Sequence, residues 1–282
     1  MIGSKVKQRS NILPILSRYK RDLYVEPFGG ACGLLFGKEK ENAEVYNDIN
    51  GAFCSLLHVL KDKDSLQELQ DLLNASPKSR ELWYEANEIY TTFIKGESIT
   101  DLKNAAGMKD YDNEVVVAYS VFYMVNCGFG GKIASGYGGG ETDTHACSSA
   151  KSYSSRRALL SAFSERLSNT EIENLDAIDC IKRYDHESTL FYLDPPYQCA
   201  TRNVYCNEFI DEEKLVECLL EIKGNFVLSC YETLEYQKLN KICDRFETKA
   251  QTCVHVNARK SKQFERIEVV YAKKNGFNGF LF

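Results

Sequence analysis

Three short apolar runs stand out along the chain because each ends in chemically distinctive residues. The runs at 23–25, 190–193 and 226–228 have the length and composition of buried parallel strands. They are followed by EPFGG, DPPY and SCYE instead of plain turn residues. Ligands of open α/β sheets bind beyond the carboxyl ends of the strands. The pattern therefore predicts one site at the edge where these three strands end.

The stretch between these runs has a helical pattern. Residues 65–74 carry apolar side chains at helical spacing, and residues 79–93 end just before Gly96. Residues 113–125 form an apolar run long enough for a buried helix, although its valines leave a strand open. The simplest organisation is one α/β domain built from residues 1–54 and 169–282. A mostly helical insert, residues 55–168, lies between these two parts.

A glycine-rich segment within the insert, residues 126–157, combines flexibility with basic and aromatic side chains. Its glycine density is incompatible with a regular helix or strand and predicts a loop. Such a composition favours ordering on a nucleic acid, with a flexible linker of incidental charge as the alternative. The residues predicted to contact DNA are Lys132, Tyr137, Arg156 and Arg157.

Composition narrows the class of protein. With 282 residues, 44% hydrophobic and 27% charged, the chain is typical of globular domains, and disordered or collagen-like classes are excluded. No apolar stretch approaches the roughly 18 residues of a membrane span, so we expect no membrane partner. The eleven cysteines include no C-x-x-C pair, and the four histidines form no ligand-like cluster. We interpret the cysteines as reduced core residues of a cytoplasmic protein, and we predict no metal site.

The net charge of −5 argues against indiscriminate binding of polyanions. Positive charge is nevertheless concentrated in residues 1–22 and 257–274. For each run alone a solvated face without a ligand is the favoured interpretation, and a local basic surface remains the open alternative.

The stretch EPFGGACGLLFG, residues 26–37, combines a strand end, a glycine-rich turn and an apolar continuation. Glycines let the backbone approach a ligand closely, and a following helix start offers free N–H groups, so the stretch is typical of nucleotide-type cofactor sites. It lacks both the dinucleotide pattern and the lysine of a P-loop. About twenty residues further on, Asp48 occupies the position at which an acid holds the hydroxyl pair of a ribose. Helix capping is the alternative role for Asp48.

The DPPY motif has the chemistry of a clamp for a planar amine. An exocyclic amine of a nucleobase is a poor nucleophile because its lone pair is delocalised into the ring. Asp194 offers one acceptor for its N–H groups, and a turn stiffened by Pro196 fixes the carbonyl of Pro195 as a second. Tyr197 offers a flat face on which the base can stack. A proline-stiffened loop with a capping aspartate is the structural alternative.

Together EPFGG, YNDIN and FYLDPPY resemble the Dam-type, or D12 class, of S-adenosylmethionine-dependent DNA N6-adenine methyltransferases. The order of the motifs matches as well, and the resemblance runs over nearly the whole chain. It implies an α/β fold with the Rossmann-like mixed sheet of class I methyltransferases and an inserted, mostly helical DNA-recognition domain. It also implies transfer of the methyl group of S-adenosylmethionine to N6 of an adenine flipped out of duplex DNA.

The resemblance assigns further residues to the cofactor. Lys5 matches the lysine of a glycine-rich N-terminal segment, and Asp179 matches an acid that reaches the cofactor adenine. The full set implied to bind S-adenosylmethionine is Lys5, Glu26, Phe28, Gly29, Gly30, Ala31, Asp48, Asp179 and Asp194. The chain departs from the pattern at Cys32, which replaces the second glycine of the turn, and at Cys180, which replaces an aromatic residue. A Cβ at residue 32 is expected to narrow the turn and weaken cofactor binding.

Two alternatives stay open. The same amine clamp serves N4-methylation of cytosine, although the acid that begins DPPY favours adenine. A catalytically silent DNA-binding relative is the second alternative, favoured by Cys32 and opposed by the intact Asp48, Asp194 and Tyr197. The expected partners are double-stranded DNA and S-adenosylmethionine, and the sequence leaves open whether a cognate restriction endonuclease exists.

Overall fold

A computed structural model of the chain describes residues 9–129, 133, 136–139, 143–196, 210–248 and 268–274. Within these residues one seven-stranded sheet has the order β3-β2-β1-β4-β5-β7-β6. Its strands are β1 (Leu23–Glu26), β2 (Glu44–Asn47), β3 (Thr170–Glu173), β4 (Thr189–Leu193), β5 (Asn225–Tyr231), β6 (Cys243–Thr248) and β7 (Glu268–Lys273).

The first five strands run parallel to one another, and β7 pairs antiparallel with both β5 and β6. The three predicted strands are confirmed as β1, β4 and β5, which are neighbours in the sheet. β4 lies between the other two, with Val25 opposite Phe191 and Leu193 opposite Leu228. The carboxyl ends of these strands therefore meet at one edge, and the mixed sheet confirms the predicted α/β class.

Helices account for most of the remaining described residues, and most lie between β2 and β3. They are α1 (Arg9–Leu16), α2 (Gly51–Lys61), α3 (Lys63–Ala75), α4 (Arg80–Ile94), α5 (Thr100–Ala105), α6 (Asn113–Cys127), α7 (Asp143–Arg157), α8 (Leu160–Arg166), α9 (Ala177–Tyr184), α10 (Glu212–Glu221) and α11 (Leu234–Gln237). The helical patterns at 65–74, 79–93 and 113–125 are confirmed as α3, α4 and α6. The carboxylate of Asp112 caps α6 by accepting from the N–H of Glu114, and neighbours cover the helix almost all round. Burial of this kind outweighs the strand preference of its valines.

One part of the glycine-rich segment is helical, contrary to the prediction of a loop through residue 157. Helix α7 begins three residues after the last glycine of the segment, where the composition no longer opposes a helix. The buried ring of Tyr153 packs edge-on against Tyr123 of α6 at 5.4 Å, and its hydroxyl donates to the carbonyl of Ser76. Tertiary packing therefore stabilises a helix of weak intrinsic propensity.

The two faces of the sheet carry separate hydrophobic clusters. One cluster runs without interruption from Tyr24, Tyr46 and Tyr192 on the sheet into helices α2, α3, α4 and α6. The other joins the opposite face to α9 and α10. The predicted boundary between residues 54 and 55 falls inside α2, so that helix belongs to the core of both units, and the division into domains stays a prediction. In the part of the chain that the structure describes, no helix is long and apolar enough to cross a membrane.

Candidate functional site

The site is built where the predicted strand ends meet. β1 ends at Glu26 and β4 at Leu193, so Glu26 and Asp194 lie on neighbouring strands at the same edge of the sheet. Beside them, Ser229 of β5 accepts a hydrogen bond of 3.2 Å from the hydroxyl of Tyr192. Three chain segments far apart in sequence therefore converge around Asp194.

The turn that follows β1 is held against β2 by close backbone contacts. The amide of Gly29 donates to the carbonyl of Asn47 at 2.8 Å, and a Cβ on Gly29 would lie 2.0 Å from the ring of Tyr46. The Tyr46 hydroxyl donates to the carbonyl of Gly30 at 2.7 Å. Gly30 itself has φ +48°, and a Cβ there would meet nothing within 4 Å. The turn therefore presents bare backbone to open space, as a cofactor cradle requires.

Asp48 fastens this turn to the start of α2. Its Oδ2 accepts from the N–H of Gly30 at 2.6 Å, and its Oδ1 accepts from the N–H of Asn50 at 2.8 Å. Burial raises the pKa of Asp48, and the two backbone hydrogen bonds counteract that rise. The capping oxygen of α2 comes from Asn50, whose side chain accepts from Ala52. Asp48 is thus a partly buried residue that holds the turn in place, at the position predicted for the ribose contact.

Glu26 lies beneath the turn and is only 2% exposed. The hydroxyl of Tyr24 donates to its Oε1 at 2.8 Å. Burial raises the pKa of Glu26 to about 7, the Tyr24 hydrogen bond and the charge of Lys38 oppose the rise, and the charges of Glu44 and Asp194 add to it. A carboxyl group that exchanges its proton near neutrality therefore lies next to the aspartate of DPPY.

The DPPY motif begins directly at the end of β4. Asp194 is partly buried, Pro195 is buried and Pro196 is partly buried. Burial raises the pKa of Tyr192 well above its usual range, and the nearby charge of Asp194 adds to that shift. Tyr197 lies outside the described residues, so its stacking role stays a prediction.

The remaining residues predicted to bind the cofactor occupy different environments. Phe28 is partly buried and packs against the second core cluster, and Ala31 lines a small apolar cavity beside the turn. Asp179 is exposed in the first turn of α9, which Asp176 caps by accepting from the N–H groups of Ile178 and Asp179. Lys5 lies outside the described residues.

Cys32 takes a conformation that explains why the related motif carries glycine there. Its φ is +56°, in the left-handed region that glycine adopts without strain, and its side chain is buried. Burial holds the pKa of its thiol well above the usual range, so it is a protonated core residue. Its side chain lines the apolar cavity on the α2 and α6 side of the turn.

The residues predicted to contact DNA are spread over the insert. Arg156 donates to Oδ1 of Asn126 at 3.2 Å, and Arg157 donates to the carbonyl of Leu73 while its guanidinium lies 4.9 Å from the ring centre of Tyr153. Arg157 thus packs α7 onto the end of α3. Two cations lie near the ring centre of Tyr137: Lys78, just before α4, at 5.1 Å, and Arg80, the first residue of α4, at 4.9 Å. Lys132 lies outside the described residues.

Sequence reasoning missed two residues that hold the site together. The Asn47 amide donates to the carbonyls of Pro27 and Leu175 at 2.9 and 3.1 Å, and its Oδ1 accepts from the N–H of Leu175. It thereby joins the turn after β1 to the segment after β3. Arg9 of α1 donates to the carbonyl of Gly33 at 2.8 Å. The signal for Asn47 was a polar amide at the end of a short strand, whereas that for Arg9 was lost among neighbouring basic residues.

The described residues include no group of three or more His, Cys, Asp or Glu side chains arranged to hold a metal ion. They bring together the backbone of the Gly29–Gly30 turn, which faces open space at Gly30, the carboxylate of Asp48 that holds this turn, and the carboxylate of Asp194 directly before two prolines. Such a set can hold a nucleotide-like cofactor and can accept hydrogen bonds from an amine.

Comparison with protein families gives one match. Residues 1–267 match the family of D12 class N6 adenine-specific DNA methyltransferases. A search of curated proteins gave no match to the chain.

Proposed function

The chain belongs to the D12 class of N6 adenine-specific DNA methyltransferases, and from that premise we propose that it transfers the methyl group of S-adenosylmethionine to N6 of an adenine flipped out of duplex DNA. The family establishes an enzyme that acts on adenine in DNA. The methyl donor, the flipped base and the roles of individual residues are the content of the proposal.

The observation that carries the proposal is the convergence of Asp194 and the glycine turn at one sheet edge. Asp194 follows β4 directly, and the turn follows β1, its hydrogen-bonded neighbour. A carboxylate there can accept one N–H of the adenine amine, and the rigid carbonyl of Pro195 can accept the other. Two acceptors draw the nitrogen toward a pyramidal geometry and free its lone pair for attack.

The residues around the turn suit the proposed cofactor. Gly30 leaves open space over its backbone, and Asp48 retains acceptor capacity on both carboxylate oxygens for ribose hydroxyls. S-adenosylmethionine, when bound, supplies an electrophilic sulfonium methyl group. We assign its binding to Lys5, Glu26, Phe28, Gly29, Gly30, Ala31, Asp48, Asp179 and Asp194.

Glu26 has a positioning role in this proposal. A second carboxylate charge beside Asp194 would add repulsion, and the raised pKa of Glu26 keeps a large fraction of it protonated near neutral pH. The negative charge is then concentrated on Asp194, where the amine hydrogens must be held.

The test is methyl transfer from labelled S-adenosylmethionine to duplex DNA, followed by identification of the modified nucleoside. We expect N6-methyladenine, and we expect Asp194→Ala to lose at least about 100-fold in rate, as the removal of one electrostatic donor or acceptor in an active site typically costs. Glu187→Gln is the matched control. Glu187 is an exposed acid at the amino end of the same strand, so its loss is expected to leave the rate unchanged.

Two outcomes would overturn the proposal. N4-methylcytosine as the product would show that the chain methylates the exocyclic amine of cytosine instead of that of adenine. Tight DNA binding without any transfer would make it a silent relative.

A further inference from the structure

The glycine-rich loop of the insert is closed at its base by backbone pairing. Gly128 and Tyr137 form an isolated antiparallel bridge, with the N–H of Phe129 donating to the Gly136 carbonyl at 2.8 Å and that of Gly138 to the Cys127 carbonyl at 2.7 Å. A Cβ on Gly138 would lie 2.8 Å from the Gly128 carbonyl oxygen. The two ends of the loop are therefore anchored together directly after α6.

Two cations at the start of α4 hold this base. Lys78 Nζ lies 5.1 Å from the ring centre of Tyr137 and donates to the Gly138 carbonyl at 2.6 Å. The Arg80 guanidinium lies 4.9 Å from the same ring centre. Tyr137 thus makes a cation–π contact with each of the two cations.

A third cation comes from a separate element. Arg156, in the last turn of α7, is held by Asn126 of α6 at 3.2 Å. Asn126 directly precedes Cys127, whose carbonyl accepts from Gly138, and the Gly138 carbonyl accepts from Lys78, so Arg156 and Lys78 are held at the same loop base. Burial lowers the pKa of Lys78, and the charge of Arg156 adds to that shift. Among the residues that the structure describes, no ion pair joins Lys78, Arg80 or Arg156 to a carboxylate.

The position of Arg80 is unfavourable for the helix alone. Arg80 is exposed and is the first residue of α4, where the positive end of the helix dipole repels a cation. Adjacent unpaired cations in a chain of net charge −5 repel one another as well. An anion supplied from outside the chain would relieve both costs.

We propose that Lys78 and Arg80, both beside the ring of Tyr137, form with Arg156 at the same loop base a surface that binds the phosphate backbone of the DNA duplex; we refer to it as the α4 cation surface. The inference rests on the proposed function. It adds Lys78 and Arg80 to the interface and gives Tyr137 the task of ordering the cations.

Its place in the fold favours DNA over a small anion. Arg156 also lines the apolar cavity that reaches Gly30, Ala31 and Cys32 of the cofactor turn. The α4 cation surface therefore adjoins the site at which an adenine would react. A duplex offers a row of phosphates to cations contributed by several elements, whereas a single small anion needs a closed pocket.

The test is the salt dependence of duplex binding by Arg80→Ala. Each lost phosphate contact lowers the slope of log affinity against log salt by about 0.9, so we expect a slope smaller by about 1. Arg80→Lys keeps the charge and is expected to retain the slope of the unmodified protein. Lys63→Ala is the matched control, because Lys63 is an exposed cation at the first position of α3, and its slope is expected to stay unchanged.

Methyl transfer separates this inference from the proposed function. Arg80→Ala is expected to raise the KM for DNA while leaving kcat at saturating DNA within about twofold, because a phosphate contact positions the duplex and takes no part in chemistry. An unchanged slope in Arg80→Ala, with normal transfer by the unmodified protein, would overturn the α4 cation surface alone. Failure of the unmodified protein to methylate DNA would overturn the proposed function instead.

Discussion

The carboxylates of Glu26, at the end of β1, and Asp194, directly after β4, lie near each other in the site. Their surroundings differ in burial. Glu26 is enclosed by Tyr24 and the core, whereas Asp194 is only partly buried at the strand end. Lys38 binds two other carboxylates, so its positive charge only partly offsets the rise in the pKa of Glu26. Its ammonium donates to Glu41 and Glu44 at 2.5 Å each and lies 4.1 Å from the Tyr24 ring centre.

Replacement of Glu26 by glutamine tests this difference. The pKa of Glu26 in the folded protein, about 7, is above its ordinary value of 4.5. Its contribution to stability is therefore fully present below pH 4.5 and is lost as the pH rises through 7. Glutamine does not titrate, so between pH 5 and pH 8 we expect Glu26→Gln to gain about 2 to 3 kcal/mol in free energy of unfolding relative to the unmodified protein.

The measurement is denaturant unfolding of both proteins at several pH values. Other titrating groups are common to the two proteins, so the difference isolates residue 26. Free energies of unfolding that change in parallel from pH 5 to pH 8 would show that Glu26 titrates normally.

At the scale of elements, the turn after β1 is specified by contacts on both sides. The ring of Tyr46 excludes any side chain at Gly29, and Asp48 ties Gly30 to the start of α2. Asn47 adds the segment after β3 to the same assembly. The cradle is therefore rigid because three consecutive residues bind it, two at the end of β2 and Asp48 directly after the strand.

Cys32 is the one strained residue of this turn, and a pair of substitutions measures the strain. A left-handed conformation costs a non-glycine residue about 1–2 kcal/mol. Cys32→Ala keeps that cost and loses the buried sulfur, whereas Cys32→Gly removes the cost and loses the Cβ as well as the sulfur. The lost Cβ offsets about 0.8 kcal/mol of the gain, so we expect Cys32→Gly to be the more stable variant by up to about 1 kcal/mol, as judged by urea midpoints. The opposite order would show that the turn carries no strain at residue 32.

The whole molecule is joined by a core that crosses from the sheet into the insert. The cluster on one face includes Tyr24 and Tyr192 of the sheet together with Trp83 of α4. Arg166 of α8 adds a polar link, because its two terminal nitrogens donate to the buried carboxylate of Glu44 in β2 at 2.5 and 2.9 Å. The predicted α/β unit, residues 1–54 and 169–282, and the predicted insert, residues 55–168, thus share both apolar and charged contacts.

This continuity predicts that both units unfold together. Trp83 is the only tryptophan of the chain and lies in the insert, so its fluorescence reports the insert, whereas far-ultraviolet circular dichroism reports the whole chain. We expect the two signals to give the same urea midpoint and slope. A fluorescence transition that precedes the loss of ellipticity would mean that the insert unfolds as an independent domain.

Local pattern was sufficient for the three central strands β1, β4 and β5, for helices α3, α4 and α6, and for the motifs at the strand ends. Each follows from interactions between neighbours in sequence: apolar runs bury, glycine turns bend, and prolines stiffen DPPY. The motif order also identified the family, which the match over residues 1–267 bears out. The role of Asp194 in holding an amine stays a prediction, made from a carboxylate that directly follows a buried strand.

Tertiary structure alone decided what depends on residues distant in sequence. The left-handed φ of Cys32, the burial that raises the pKa of Glu26 and the role of Asp48 in holding the turn all arise from contacts across strands. The helical end of the glycine-rich segment exists because Tyr153 is buried against α6. The loop base brings Lys78 and Arg80 beside Tyr137 and Arg156 onto Asn126, cations up to 78 positions apart, so no local pattern could reveal their common location. Periodicity encodes which face of an element is buried, whereas only the packed chain determines which side chains that face meets.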